Sequence, residues 1–150
     1  FRADRAEAMA LREPAFIAAH AAQLGEAVSH ATTAALETML ACGFAPAATG
    51  CMGETALHWA AFTGNAAAAR VLLAHGAPVN VRDNEHHAEP LGWCDYAESC
   101  VGGRPHADFG GVARALFEAG APLPKPEDLE RMGGDEVKAV AAELLRERGT

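Results

Sequence analysis

The stretch that decides the fold reads Gly53-Glu54-Thr55-Ala56-Leu57-His58-Trp59-Ala60-Ala61-Phe62-Thr63-Gly64-Asn65, then Arg70-Val71-Leu72-Leu73-Ala74-His75-Gly76-Ala77-Pro78-Val79-Asn80. Its second half recurs along the chain. Met39-Leu40-Ala41-Cys42-Gly43 comes first, Leu72-Leu73-Ala74-His75-Gly76 second and Leu116-Phe117-Glu118-Ala119-Gly120 third. The first two glycines are 33 residues apart and the next pair 44, one period plus an insertion of 11. A fixed period of this size is the mark of stacked supersecondary units. A weaker echo, Leu144-Leu145-Arg146-Glu147-Arg148-Gly149, closes the chain.

Each phrase has apolar positions at helical spacing and a glycine suited to a left-handed cap. An Ala-Pro or Phe-Ala-Pro follows each full copy, so the helix cannot resume there. Within the central unit, Thr55 is placed to cap the first helix and Asn65 the second, with Gly64 between them. Ala60 and Ala61 allow close helix approach, and Asn80 suits the following turn.

This unit strongly resembles an ankyrin repeat, with Ala56 where the family usually has proline and Pro78 where it usually has aspartate. The resemblance implies an all-α, ankyrin-like helical repeat solenoid with short hairpin loops, about three full repeats and helical caps. In that family the histidine at the position of His58 bridges adjacent repeats through hydrogen bonds. Trp59 and Trp93 take a position that is usually a buried leucine, so they are expected in the core.

Extending the register gives units at about 22–50, 51–83 and 84–124, an N-terminal helical cap at 1–21 and a C-terminal cap at 125–149. Unit one is degenerate, with helices expected at about 24–31 and 34–42. Unit three sets Glu89-Pro90-Leu91-Gly92-Trp93 against Thr55 to Trp59, so glycine replaces the histidine. It also has Asp95 and Glu98 where unit two has Ala61 and Gly64, which obscures where its first helix ends. Pro126-Glu127-Asp128 opens a short helix with proline and acids in its first turn. After Gly133-Gly134, Asp135 is expected to cap a helix whose apolar stripe is Val137, Val140, Ala141, Leu144 and Leu145.

The 11-residue insertion falls at 98–108 and is expected to be a surface loop. Cys94, Cys100, His106 and the pair His86-His87 raise the question of zinc, but a Cys-x5-Cys-x5-His order lacks the close pair that builds a knuckle. No phosphate loop, Ser-His-Asp order or His-Glu-x-x-His motif occurs, so neither catalytic residues nor a cofactor are expected. Half of the 150 residues are apolar and the net charge is -8. A negative surface repels phosphate backbones and anionic lipid, and no apolar run is long enough to span a bilayer. Four scattered cysteines read as reduced thiols of a cytoplasmic chain. The alanine-rich, lysine-poor composition reads as bacterial. The chain opens at Phe1 without an initiating methionine or a signal peptide, which reads as a trimmed or processed piece.

What the resemblance implies about function is a non-catalytic, monomeric module that binds an unknown protein or peptide through hairpin tips and the concave helix face. The register assigns Ser29 and His30, Phe62 and Thr63, then Tyr96 and Ala97 to that face, and Cys51, Met52, Glu54, Glu85, His86 and Ala88 to the hairpins. Phe62 and Tyr96 are expected as one exposed apolar spot rimmed by Glu54, Glu85, Glu89 and Asp95. A metal-binding or enzymatic domain built on the insertion, or a structural spacer in a longer protein, stand as alternatives.

Overall fold

A computed structural model describes residues 24, 25, 28, 33–102 and 105–149. Expectations for 1–21, and for Ser29 and His30, lie outside the described residues. The backbone is helical at Leu24, Gly25 and Val28. Helices then follow as α1 Thr33–Ala41, α2 Ala56–Thr63, α3 Ala66–Ala74 and α4 Pro90–Tyr96, which runs on through a π-turn at Ala97–Val101. Next come α5 Phe109–Glu118, a 3-10 turn Pro126–Arg131 and α6 Asp135–Arg148. Among the described residues there is no strand, only an isolated antiparallel bridge between Thr49 and Thr55.

The repeated phrase has a repeated geometry. Gly43, Gly76 and Gly120 take φ of 103°, 83° and 106°, a left-handed region where a Cβ would clash with the backbone. After each, the next amide reaches back five residues: Phe44 to the Met39 carbonyl, Ala77 to Leu72 and Ala121 to Leu116. These are Schellman ends, which satisfy carbonyls that a helix leaves open. At the other ends, Asn65 accepts the Ala68 N–H at 3.0 Å and Asp108 the Gly111 N–H at 2.7 Å.

The helices pack in two layers. α2 lies against α4 on the inner side, while α1, α3 and α5 follow one another on the outer side and α6 closes against α5. Small side chains set the spacing, since Ala60, Ala61, Ala69 and Ala113 are fully buried. Leu57, Leu72 and Leu116 fill the space between the layers and are equally inaccessible. Burial of apolar area on this scale drives the stack, because no unit has enough surface to fold alone.

Two expectations, one about unit three and one about the C-terminal cap, are corrected. The residues at 97–101 are not loop: they prolong α4 as the π-turn. At the end of the insertion the Asp108 amide donates to the Gly64 carbonyl at 2.8 Å, tying it to the stack. Asp135 is not the cap of α6, because Gly134 holds that position and Asp135 is already helical. The cap comes from α4 and its π-turn. Asp95 accepts the amides of Gly133 and Gly134 at 3.2 and 2.9 Å, and Glu98 those of Glu136 and Val137 at 2.6 and 3.1 Å. Glu136 in turn accepts the Gly110 amide at 2.9 Å, tying α6 to the start of α5. The sequence departures at Asp95 and Glu98 are therefore the terminal helix's capping groups, and a Cβ at Gly134 would collide with the Glu98 carboxylate.

Candidate functional site

The site is built by the hairpin at 79–89. Its anchor is Asp83, 1% exposed. The carboxylate accepts the backbone N–H groups of Glu85, His86 and Ala88 at 2.9, 2.6 and 3.1 Å, and the Trp93 indole N–H at 2.9 Å. Burial alone would push its proton affinity up, but the donors from His86, Trp93, Ala88 and Glu85 outweigh that and hold the carboxyl well below the ordinary range. It stays ionised. The Asn84 amide donates to the Met52 carbonyl at 2.7 Å, so successive hairpins are joined tip to tip.

His58 joins the same hairpin from below. Its Nδ1 accepts the Thr55 backbone N–H at 3.0 Å, which leaves the ring proton on Nε2 to donate to the Ala88 carbonyl at 3.1 Å. Burial pushes the ring's pKa below 6.5, against the opposing pull of the Ala88 carbonyl and of Asp83 and Glu54. A neutral bridge between repeats results, as the resemblance implied for this histidine.

Above these anchors lies an aromatic cluster. The rings of Trp59, Phe62 and Trp93 meet edge to face, with centroids 5.6 to 6.1 Å apart, and His58 packs on Trp93 at 5.1 Å. Such edge-to-face contacts hold ring orientations beyond what area alone would. The tryptophans were expected in the core; both are half-buried, because the inner side of the stack is open beside them. That opening is a groove of about 360 Å³ lined by Phe62, His86, Ala88, Gly92, Trp93 and Tyr96.

Three of the residues assigned by register, Phe62, His86 and Tyr96, thus share one groove. Tyr96 is 58% exposed, but Phe62 is half-buried against the tryptophans rather than a free surface ring. Glu85 and Cys51 are exposed and Met52 is half-buried at the hairpins, away from the groove lining. Thr63 turns its hydroxyl to the Trp59 carbonyl at 2.7 Å and borders a separate recess near Gly64, Asn65 and Arg70.

The acidic rim needs correction. Glu54 is 8% exposed, because its carboxylate folds inward to accept the Met52 amide at 3.0 Å. Asp95 is held by the amides before α6, and Glu89 is paired with Arg82 at 3.3 Å. Glu85 is the carboxylate of that rim which faces solvent at the hairpin.

Ala88, assigned to the hairpin by register, lines the groove, whereas Ala97, assigned to the concave face, is fully buried instead. Two contributors were not assigned to the site from the sequence: Asp83 and Gly92. For Asp83 a signal existed, since Asp83-Asn84-Glu85-His86 is a stretch in which an aspartate can bond amides two and three residues on. For Gly92 the signal was its departure from the histidine of unit two. Among the described residues no group of three or more His, Cys, Asp or Glu side chains gathers to hold a metal. Cys94 is buried and donates to the Phe109 carbonyl at 3.5 Å, and burial pushes its thiol far above the ordinary range, which disfavours the thiolate.

The ankyrin-repeat family model matches residues 52–84. No curated protein matches the chain. Ankyrin repeats are generally non-catalytic and are generally modules of protein–protein interaction. Among the described residues no helix is long and apolar enough to cross a membrane.

Proposed function

We propose, from the premise that this is an ankyrin-repeat chain, that it is a non-catalytic interaction module whose groove beside α2 and α4 receives a protein or peptide partner. The observation that carries the reading is the convergence of Phe62, Trp93 and Tyr96 on one open groove, with Tyr96 largely in solvent. A tyrosine held out from a helix, over a rigid aromatic floor, presents contact area at little entropic cost. His86 and Ala88 bring the hairpin to the same edge, and Cys51, Met52 and Glu85 lie along the hairpins as a second line of contact. The chain acts as a monomer in the cytoplasm of a bacterium and takes neither a cofactor nor nucleic acid, in keeping with its free thiols, its composition and its net charge of -8.

The test is a random-peptide library displayed on phage and selected on the purified chain. Selected peptides should bind the Tyr96→Ala variant about 30-fold more weakly, the loss of a hot-spot aromatic worth about 2 kcal/mol. Peptides indifferent to Tyr96→Ala and sensitive instead to changes at 98–108 would move the site to the insertion.

A further inference from the structure

Position 92 is where units two and three differ most. His58 is fully buried in unit two, whereas Gly92 in α4 is exposed and has no side chain. A Cβ built there would meet only Ala88 Cβ, at 3.4 Å. The groove floor therefore has room beside Gly92, and its walls are the rings of Phe62, Trp93 and Tyr96. Room of that shape suits one apolar side chain.

The electrostatics add a second requirement. Asp83 lies directly behind Trp93, and its four hydrogen bonds come from neutral N–H groups. Those bonds stabilise the charge without cancelling it, and in a low-dielectric setting its field reaches further than a solvated charge would. Of the carboxylates in the segment 79–101, Asp95 and Glu98 are held by the amides at the start of α6 and Glu89 by Arg82, which leaves Asp83 and Glu85 as the charges beside the groove. The hairpin side of an apolar groove is thus negative: the solvent-facing Glu85 carboxylate lies 3.9 Å from the His86 ring that lines the groove, and the exposed Tyr96 ring is open to a cation.

We propose that this groove takes an apolar side chain from a peptide segment that carries arginine or lysine immediately beside it. The inference rests on the interaction-module reading above and adds the partner's chemistry to it. The apolar anchor displaces water from the three rings, while the flanking cations remain at the rim with Glu85 and the Asp83 field. An acidic segment of the same apolar content meets repulsion at the same rim.

Defined probes test this directly. Acetylated and amidated pentapeptides Gly-Arg-Leu-Arg-Gly, Gly-Arg-Ala-Arg-Gly and Gly-Glu-Leu-Glu-Gly are titrated into the full chain, followed through the indole N–H resonances of Trp59 and Trp93. The Arg-Leu-Arg probe should shift the Trp93 resonance saturably, and the other two should bind at least about tenfold more weakly. Raising salt from about 50 to about 500 mM should weaken the first probe several-fold. Gly92→Leu, which fills the groove at an unstrained helical position, should abolish its binding, and Tyr96→Ala should weaken it without a folding question. Equal binding of the glutamate probe, unchanged binding to Gly92→Leu, or no saturable shift at millimolar peptide would overturn the proposal. Library peptides that depend on Tyr96 but lack a basic neighbour would also overturn it, while leaving the interaction-module reading in place.

Discussion

The cap of the last helix offers the sharpest test of the tertiary argument, because sequence and structure name different residues for it. Asp135 follows a glycine pair and opens an apolar stripe, yet the amides at the start of α6 bond to Asp95 and Glu98. Replacing Glu98 with alanine leaves the Glu136 and Val137 amides without their acceptor and removes a negative charge from the positive end of a 14-residue helix. An N-cap side chain contributes about 0.5–2 kcal/mol, and the charge–dipole interaction about 0.3–1 kcal/mol. Water recovers part of the first, so Glu98→Ala should cost about 1.5–2.5 kcal/mol. Asp135→Ala removes only the dipole interaction, about 0.3–0.5 kcal/mol. The assay is equilibrium urea unfolding with hydrogen exchange resolved along the chain. In Glu98→Ala, protection should fall first in α6, which docks chiefly on α5 and otherwise on the 3-10 turn and the π-turn, and the transition should broaden as the terminal unit frays. A larger loss in Asp135→Ala than in Glu98→Ala would refute the reasoning.

Further outcomes follow from single residues. Leu72 is completely buried between the layers, and Leu72→Ala should destabilise by roughly 2–5 kcal/mol through the cavity it leaves, measured by the shift in urea midpoint. His87 takes φ of 51° at the register of Gly53, whose φ is 75°, so a residue with a Cβ occupies a left-handed position that the preceding hairpin gives to glycine. His87→Gly should therefore raise stability by about 0.5–1 kcal/mol, the relief of αL strain less the entropy glycine gains on unfolding. The chain should lose stability in two acid windows. His58 is held below 6.5 by burial, so the unfolded chain takes up the proton first, and its contribution, full above pH 6.5, is lost as pH falls from there. Asp83 is depressed below 3.8, so its contribution is full above that pH and is lost as pH falls further. Urea midpoints from pH 8 to pH 3 check both, and His58→Gln should flatten the upper window.

The repeating core was legible in the residues themselves because its causes are local. A glycine after a helical apolar stripe, followed by alanine and proline, ends a helix wherever it occurs, and Gly43, Gly76 and Gly120 do so with one hydrogen-bond pattern. That Phe62 and Tyr96 would line one groove was legible for a related reason: equivalent positions in a stack lie side by side, so a period in sequence is a distance in space.

What only the tertiary structure decided depends on groups that meet at long sequence separation without a pattern. Glu98 and Val137 are 39 residues apart, and nothing near either one indicates that a helix will be capped from another element. Asp83 reads as a turn residue, but its ionised burial needs the Trp93 indole to arrive from α4. Glu54 reads as a surface acid until the hairpin closes on the Met52 amide, and Phe62 as a free ring until two tryptophans pack on it. Local backbone preference fixes where the repeated helices stop; the end of α4, the cap of α6, and charge and side-chain placement are settled by whichever donors and rings the packed stack brings within reach.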